Sequence, residues 1–422
     1  MSKLAILGGD PVIKKPLSYY SSIGREEESA VSKVMQSGRI SEFIGAWCDE
    51  FYGGPLIQEF ESLWSAEFDC KHSISVNSNT SGLIAAMGAV GISPGDEVIV
   101  PPWTMSATSM APLFYGGIPV FADVEKDYFC IDYESVKNKI TSKTKAIIAV
   151  NLMGHPAELK KLRKLADEKG IYLVEDNAQA PHAHENNKLT GTIGHIGIAS
   201  LNYHKHIHTG EGGVCTTNDD DLAQRLKLIR NHGENVIDEL QIEDFSNLIG
   251  FNFRLTEIQA AIGISQIKKS SSLVDRRVDL SNQLSEQLSG IEGLIVPKVR
   301  NNCRHVYYIW PAKIDTKSLE IDRDVISKAI EAEGCPTSTG YVKPLYNLPI
   351  FRSKIAIGNK GFPFSLSNID YNVCSEECPN VEELHNKSLI EFFICSYQLD
   401  GDEINLISDC YKKVFSNKPA LR

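Results

Sequence analysis

The sequence lacks a long apolar run. No segment offers the roughly 18 uninterrupted apolar residues that a transmembrane helix needs, so we expect no membrane span. The apolar run at residues 4–7 is far too short for the hydrophobic region of a secretory signal peptide. These absences predict a cytoplasmic protein.

The sequence is also short of positive charge. It holds 43 Lys and Arg residues against 54 Asp and Glu residues, which gives a formal net charge of -11 at pH 7. A basic surface supplies most of the affinity of nonspecific nucleic-acid binding, so this balance argues against a nucleic-acid partner. The same charge would repel an anionic small molecule, which local hydrogen-bond donors would then have to capture.

Cysteine clusters at metal-binding spacing are missing as well. The ten cysteines are spread thinly between Cys48 and Cys410. The closest pair, Cys374 and Cys378, has no second pair and no nearby histidine at the spacing of a zinc site. We therefore expect no metal, and free thiols in a reducing compartment.

The hydrophobic pattern that is present indicates an α/β fold. Short apolar runs at 73–76, 97–100, 120–122 and 146–150 alternate with helical patterns, which predicts a doubly wound, mostly parallel sheet. After about residue 270 the pattern changes, with a long helix predicted at 273–288, which indicates a smaller C-terminal α+β domain. We thus predict a large domain at 1–270, N-terminal segment included, and a small domain at 271–422.

An acid and a lysine follow two of the predicted buried strands. The apolar run at 171–174 places Asp176 at the carboxyl end of a strand, where open α/β sheets bind their ligands. Lys205 follows a second apolar run at 196–201 and lies in a turn that glycines close. Each residue alone has an ordinary explanation, because a turn lysine is usually solvated and an aspartate after a strand often caps a helix.

Together the two residues match the chemistry of pyridoxal 5'-phosphate (PLP). A lysine amine forms a Schiff base with an aldehyde, and an acid beside the pyridine nitrogen keeps the ring protonated so that it takes up electrons. Gln179 follows Asp176 closely, and Ser200 shortly precedes Lys205, which strengthens the joint signal. The sequence therefore predicts a PLP site around these four residues.

Three segments carry a resemblance to a known family. Residues 175–180 read EDNAQA, residues 191–194 read GTIG, and residues 200–213 read SLNYHKHIHTGEGG. These segments resemble the DegT/DnrJ/EryC1/StrS aminotransferases, fold-type I PLP enzymes that mostly aminate keto sugars. The resemblance implies a transferase of that fold, which moves an amino group from L-glutamate or L-glutamine to a keto sugar, with a nucleotide-linked sugar favoured.

The resemblance also implies a role for each matching residue. Lys205 and Asp176 would be catalytic, with Lys205 carrying the proton and Asp176 holding the ring nitrogen protonated. Gln179 and Ser200 would position the ring and the phosphate.

Residues outside that stretch would complete the cofactor site. Thr80 and Ser81 stand at the N-terminus of a predicted helix, where a plain helix cap is the ordinary explanation, and the resemblance implies that they hold the cofactor phosphate. Asn252, with Arg254 as a weaker candidate, matches a family segment that contacts the cofactor phosphate of the neighbouring subunit. This match implies a homodimer with shared active sites.

The chain departs from the family pattern at three positions. Asn79 stands where the family usually has glycine, and we expect the turn to survive because asparagine tolerates a left-handed backbone. Met105 stands where the family commonly stacks an aromatic ring on the pyridine, so either its thioether or the ring of Trp103 would cover the cofactor. His195 replaces an aspartate, and we expect it to alter only the turn before Ser200.

Several alternatives stay open at this stage. A free ketocyclitol or free keto sugar is an alternative acceptor that nothing in the motifs excludes. A PLP-dependent sugar dehydratase is disfavoured because such family members replace the lysine with histidine, and a non-catalytic homologue is disfavoured by the complete set of site residues. The histidines at 204, 206 and 208 would bind a metal only if all three faced one side. Tyr341 and Lys343 are further candidates for substrate contact.

Overall fold

A mostly parallel seven-stranded sheet forms the centre of the fold. The structure is a computed structural model that describes residues 3–421. The strands are β1 (His72–Val76), β2 (Glu97–Val100), β3 (Ile118–Phe121), β4 (Thr144–Val150), β5 (Tyr172–Asp176), β6 (His184–Glu185), β7 (Lys188–Leu189), β8 (Ile196–Ser200), β9 (Gly213–Thr217), β10 (Leu294–Ile295), β11 (Cys303–Arg304), β12 (Trp310–Ile314), β13 (Thr337–Thr339) and β14 (Leu389–Phe392).

The central sheet has the strand order β1-β9-β8-β5-β4-β2-β3. Only β9 runs against the other six strands of this sheet, since β1 and β8 both pair with it in antiparallel fashion. A four-stranded antiparallel sheet has the order β10-β12-β14-β13, and a small third sheet joins β11, β6 and β7. The predicted α/β architecture with a mostly parallel sheet and a smaller α+β part is thereby confirmed.

Helices pack against these sheets. They are α1 (Arg25–Ser37), α2 (Pro55–Glu67), α3 (Asn79–Ala89), α4 (Ala107–Met110), α5 (Tyr133–Lys139), α6 (Leu159–Lys169), α7 (Asp220–Arg230), α8 (Glu257–Leu288), α9 (Thr316–Leu319), α10 (Arg323–Ala332), α11 (Pro349–Arg352), α12 (Cys374–Glu377), α13 (Pro379–Glu383) and α14 (Gly401–Ser416). Within residues 3–421, none of the helices has the length and apolar character that a membrane crossing requires.

Helix α8 is longer than the sequence pattern predicts. Thr256 caps its start, because Thr256 Oγ1 accepts the backbone N–H of Gln259 at 3.2 Å while Gln259 Oε1 accepts the backbone N–H of Thr256 at 3.1 Å. The helix predicted at 273–288 is only the second half of this element. The predicted domain boundary between residues 270 and 271 lies inside α8, and the division of the chain at that point stays a prediction.

Two large apolar cores support the sheets. The first surrounds the central sheet and also contains side chains from late in the chain, such as Phe351 and Tyr371. The second packs around β12 and β14 and contains Leu4 and Ile13 from the N-terminal segment. Early and late parts of the chain therefore contribute to both cores.

The carboxyl ends of three neighbouring parallel strands meet at one edge of the central sheet. Val150 ends β4, Asp176 ends β5 and Ser200 ends β8, and these strands are adjacent in the order β8-β5-β4. All three residues line one cavity. The sheet thus gathers side chains that are far apart in the sequence, as open α/β sheets do at their ligand sites.

Candidate active site

The cavity at this sheet edge brings together six of the eight predicted site residues. It has a volume of about 230 Å³. The predicted residues in its wall are Thr80, Met105, Asp176, Gln179, Ser200 and Lys205. Ser81 and Asn252 do not line it.

Asp176 lies at the base of the cavity and is almost fully buried. Its Oδ2 accepts a hydrogen bond from Thr108 Oγ1 at 2.8 Å, and its Oδ1 accepts the backbone N–H of Ala178 at 3.3 Å. Burial raises the pKa of the Asp176 carboxyl, while the Thr108 hydroxyl, the Ala178 N–H and the Lys205 ammonium act in the opposite direction. A protonated ring nitrogen placed against this carboxylate would compensate for its burial.

Asn79 holds the same carboxylate by a contact that the sequence did not indicate. Asn79 Nδ2 donates a hydrogen bond to Asp176 Oδ1 at 3.3 Å. The expected left-handed backbone is wrong: Asn79 is the first residue of α3 and is not among the residues with positive φ. The turn survives because the position is helical, and the asparagine side chain adds a donor that glycine would not have.

Lys205 is 9% exposed and faces the cavity beside the ring of Tyr308. Its Nζ lies 4.4 Å from the centroid of that ring. Burial lowers the pKa of the Lys205 amine to about 8, although the Asp176 carboxylate acts to raise it. An amine with this pKa is neutral in a substantial fraction of molecules near pH 7.5, which suits a nucleophile and proton carrier.

Gln179 is fixed from both ends of its amide. Its Oε1 accepts the backbone N–H of Met153 at 2.7 Å, and its Nε2 donates to the hydroxyl of Tyr341 at 2.8 Å. Tyr341 has a φ of 55°, and its backbone N–H donates to the buried carboxylate of Glu391 at 2.8 Å. Tyr341 therefore reaches the site through Gln179, whereas Lys343 is exposed.

The turn before α3 has the geometry of a phosphate-binding helix N-terminus. Ser78 caps the helix, with its Oγ accepting the backbone N–H of Ser81 at 3.0 Å. Thr80 faces the cavity, but Ser81 Oγ donates to Asn77 Oδ1 at 2.6 Å on the other side of the turn. Gly213 packs directly under this turn, since a Cβ there would lie 2.7 Å from the Ser78 carbonyl carbon. The cofactor-binding roles of Thr80 and Ser81 stay predictions.

Of the two candidates for covering the cofactor ring, only Met105 faces the cavity. Its side chain is 57% exposed and lies in the cavity wall. Trp103 is fully buried, and its Nε1 donates to the carbonyl oxygens of Gly340 and Val342 at 3.1 and 3.0 Å. Trp103 thus anchors the loop that carries Tyr341.

Asn252 lies outside the cavity of its own chain and is exposed. Its carbonyl oxygen accepts a hydrogen bond from Asn77 Nδ2 at 3.3 Å, next to the turn before α3. The side chain of Arg254 is directed to Asn231, with Nε donating to Asn231 Oδ1 at 2.8 Å. Contact of Asn252 with a neighbouring subunit stays a prediction.

The histidines around Lys205 point in different directions. His204 lines the cavity, and burial lowers the pKa of its imidazole to about 4. His206 is fully buried with Nε2 2.9 Å from the carbonyl oxygen of Val306, and His208 Nδ1 accepts the backbone N–H of Gly210. Across residues 3–421, no three His, Cys, Asp or Glu side chains form a group that could hold a metal ion.

His195 forms part of the support for β5. Its Nδ1 accepts the backbone N–H of Leu173 at 2.9 Å, and its Nε2 lies 3.3 Å from Asp167 Oδ1. Strand β8 follows directly and pairs with β5 from Ile196 onward. The replacement of aspartate by histidine therefore changes the contacts of the turn and leaves the strand with Ser200 in place.

Three residues of the site were missed by the sequence interpretation. Thr108 donates to Asp176, Tyr308 packs on Lys205, and Glu175 orders the GTIG turn by accepting the backbone N–H groups of Gly191, Ile193 and Gly194 at 2.6, 2.8 and 2.5 Å. Glu175 lies in the EDNAQA segment directly before Asp176, and Thr108 lies three residues after Met105, so closeness in the sequence to a predicted site residue was a usable signal. Tyr308 is more than a hundred positions from Lys205 in the sequence, and no local pattern indicates its contact.

The cavity fits PLP in its chemistry. A buried amine and a buried carboxylate face the same space, and the N-terminus of α3 with the Thr80 hydroxyl offers donors for a phosphate. Lys205 would hold the aldehyde end, Asp176 the ring nitrogen, and Thr80 the phosphate. Ser200, at the end of β8, and Met105 would contact the ring or the phosphate from the cavity wall.

Comparison with known proteins gives a consistent result. The profile of the DegT/DnrJ/EryC1/StrS aminotransferase family matches residues 22–386. GDP-perosamine synthase of Vibrio cholerae is 31% identical over 333 residues, which cover 79% of this chain and 86% of that protein. The dTDP-3-amino-3,4,6-trideoxy-alpha-D-glucose transaminase of Streptomyces venezuelae is 30% identical over 334 residues, which cover 79% of this chain and 82% of that protein.

A solved structure agrees with these relatives. The aminotransferase from Psychrobacter cryohalolentis has a TM-score of 0.82 and 28% identity, over 96% of this chain and 100% of that chain. Because the profile covers most of the sequence and the whole fold is shared, the chain belongs to the DegT/DnrJ/EryC1/StrS aminotransferase family and is a PLP-dependent aminotransferase.

Proposed function

We propose that the chain transfers an amino group from L-glutamate or L-glutamine to a keto sugar linked to a nucleotide. The observation that carries the proposal is the shared cavity of Lys205 and Asp176, in which each side chain influences the ionisation of the other. The names of two relatives, a GDP-perosamine synthase and a dTDP-amino-sugar transaminase, support the nucleotide-linked acceptor.

The side chains of the cavity have separate tasks in this proposal. PLP, when bound, supplies an aldehyde that accepts an amino group and a protonated ring that accepts electrons. Lys205, with its lowered pKa, takes a proton from the donor carbon and returns one to the acceptor carbon. Asp176, held by Thr108 and Asn79, keeps a positive charge on the ring nitrogen favourable. Gln179 keeps the Tyr341 loop against the cavity.

We further propose a homodimer in which Asn252 reaches the cofactor phosphate of the partner subunit. The exposed position of Asn252 next to the Asn77 turn is compatible with a contact across an interface. Mixed dimers test this idea. Lys205→Ala and Asn252→Ala homodimers should each have low activity, and subunit exchange between them should regenerate one intact site per mixed dimer. Mixing without recovery, when exchange is verified by mass spectrometry, would contradict the shared site.

The half-reaction with the amino donor separates transamination from the alternatives. The purified protein with PLP should be yellow, and L-glutamate or L-glutamine should bleach the colour with release of one 2-oxo acid per site. Lys205→Ala should abolish both the borohydride-fixable cofactor and the release, while the exposed Lys268→Ala should keep them. A colourless protein after PLP addition would favour a non-catalytic homologue, and a yellow protein without any half-reaction would favour a dehydratase.

The acceptor is then found with a panel of ketones. The amine form of the enzyme is offered nucleotide-linked 3-keto and 4-keto sugars, and in parallel free keto sugars and ketocyclitols. Recovery of the yellow colour with a nucleotide-linked sugar only supports the proposal. Recovery with a free ketocyclitol or free keto sugar only would replace it by the alternative acceptor class.

A further inference from the structure

A second cavity lies apart from the candidate active site. It has a volume of about 290 Å³ and lies between the N-terminal segment at 20–22, the middle of α8, and residues 394–399. It shares no lining residue with the active-site cavity. Its lining residues are Tyr20, Ser21, Ser22, Lys269, Leu273, Arg276, Arg277, Leu280, Ile394, Tyr397, Gln398 and Leu399.

Arg277 is the unusual member of this wall. Its side chain is 6% exposed, yet its Nη1 is buried without a hydrogen-bond partner. Its Cζ lies 5.4 Å from the centroid of the Tyr20 ring. Among the residues that the structure describes, no carboxylate forms an ion pair with Arg277. A buried guanidinium without an anion is unfavourable, because a charge that leaves water needs a partner of opposite sign.

Two further cations, Arg276 and Lys269, line the same cavity as Arg277. Arg276 donates from Nη2 to the carbonyl oxygen of Leu399 at 2.8 Å and also has no ion pair within residues 3–421. Lys269 is different, since its Nζ lies 2.6 Å from the carboxylate of Glu27 and donates to the carbonyl oxygen of Ser22 at 2.6 Å. Arg276 is exposed to solvent and interacts electrostatically with the Asp400 carboxylate, so Arg277 is the buried cation of this wall that lacks a carboxylate partner.

This arrangement matches an oxyanion. The buried guanidinium of Arg277 lacks an anion, Arg276 offers a second guanidinium in the same wall, and the planar fork of an arginine fits the oxygens of a phosphate group. Part of the wall is apolar or aromatic, with Leu273, Leu280 and the Tyr20 and Tyr397 rings, and leaves room for an organic part. A phosphate group presents three acceptor oxygens to the two guanidinium groups, whereas a carboxylate presents two.

We propose that this cavity is a binding site for a phosphate group, with Arg277 as its buried anchor and Arg276 as its second cation. The site lies behind the wall that carries the catalytic lysine. Ile394 lines the cavity, and the sulfur of the next residue, Cys395, lies 4.0 Å from Nε2 of His206, the residue after Lys205. The inference concerns a site that the proposed sugar transamination does not use.

Calorimetric titration of the PLP-loaded protein tests the site. The probes are inorganic phosphate and uridine 5'-monophosphate, in a buffer free of other phosphates. Arg277→Met, which keeps an unbranched apolar stem and removes the charged guanidinium, should weaken binding of the probe at this site at least about 30-fold. Lys268→Met, which removes a charge from an exposed position on the same helix, should bind as the parent protein does.

The two probes distinguish the sources of the phosphate group. Tighter Arg277-dependent binding of the nucleotide identifies an organic phosphate that uses the apolar wall, and equal or tighter binding of inorganic phosphate identifies the free ion. If Arg277→Met does not fold, Arg277→Lys carries the test, because it keeps the charge and loses the fork, so that binding should weaken by a smaller factor. Absence of binding to the parent protein, or binding that neither Arg277 variant weakens, would overturn the proposal.

Discussion

The burial of the Lys205 amine leads us to predict a specific pH dependence of the free energy of unfolding. The pKa of this group is about 8 in the folded protein, against an ordinary value of 10.5 for lysine. At about 1.4 kcal/mol per pH unit, the difference corresponds to about 3 kcal/mol. The group is 9% exposed, so solvent screening reduces this figure little. Below pH 8 the folded cofactor-free protein therefore bears the full cost of a buried ammonium.

The sign of the pH dependence follows from proton binding. Between pH 8 and pH 10.5 the unfolded chain binds more protons at Lys205 than the folded chain does, so the free energy of unfolding rises with pH in this window. Above pH 10.5 the amine is neutral in both states and the cost disappears. Other groups titrate in the same range, so the contribution of Lys205 has to be isolated by difference.

Urea unfolding of Lys205→Met and of the parent protein, measured in parallel, isolates the contribution of Lys205. Both are measured without cofactor, at one protein concentration, at pH 7, 8, 9 and 10. At pH 7 the variant should be more stable by about 2–3 kcal/mol, because methionine fills a similar volume without a charge. This advantage should shrink steadily toward pH 10. The exposed control Lys268→Met should differ from the parent by the same small amount at every pH.

A constant difference between Lys205→Met and the parent protein from pH 7 to pH 10 would refute the reasoning. It would mean that the ammonium group is solvated or paired more closely than its position beside Tyr308 and Asp176 indicates.

Three further predictions concern the contacts that hold the site. Thr108→Val removes the 2.8 Å hydrogen bond to Asp176 and should lower the free energy of unfolding, measured by urea titration at pH 7, by about 1.5–3 kcal/mol. Thr108→Ser keeps the donor and should lower it clearly less. Equal losses of stability in the two variants would contradict the role of the hydroxyl. Glu175→Gln replaces the carboxylate that accepts the N–H groups of Gly191, Ile193 and Gly194 with an amide. It should lower the free energy of unfolding by about 2–4 kcal/mol in the same urea titration. Glu168→Gln, at an exposed position, is the control and should leave the stability unchanged. Trp103→Phe should lower the free energy of unfolding by about 1–2 kcal/mol and leave the absorption spectrum of bound PLP unchanged. Met105→Ala should change that spectrum. The reverse pattern would place the indole ring of Trp103 on the cofactor.

Much of the fold could be predicted because the strands of a parallel sheet are continuous apolar runs. Strand β2 occupies the predicted residues 97–100, and β4 extends the predicted 146–150 by two residues at its start. Helix α8 shows the limit of this approach. Its first half is buried among several elements and carries no clean amphipathic stripe, so the sequence pattern alone marked only residues 273–288.

Site residues could be predicted where the chemistry of the side chains and their spacing in the sequence act together. The prediction failed where a contact depends on packing. Asp176, Gln179, Ser200 and Lys205 stand close to strand ends, and strand ends meet at one edge of a sheet. Asn79 was interpreted as a backbone feature, and its real contribution is a side-chain contact with an aspartate ninety-seven positions away. Trp103 and Met105 differ by two positions, and only the packing of the Tyr341 loop decides which one is buried.

The sequence by itself was enough to predict the α/β class and a PLP site, because apolar runs mark buried strands and because an acid and a lysine at strand ends, together with the family segments around them, match the chemistry of that cofactor. Tertiary structure alone decided the environment of these groups. The low pKa of Lys205 depends on its burial beside Tyr308, and the charge of Asp176 depends on donors from α3 and α4, all of which come from distant segments. Burial and contact distance are properties of the folded chain, so the residues that influence the ionisation of Lys205 and Asp176 were visible only there.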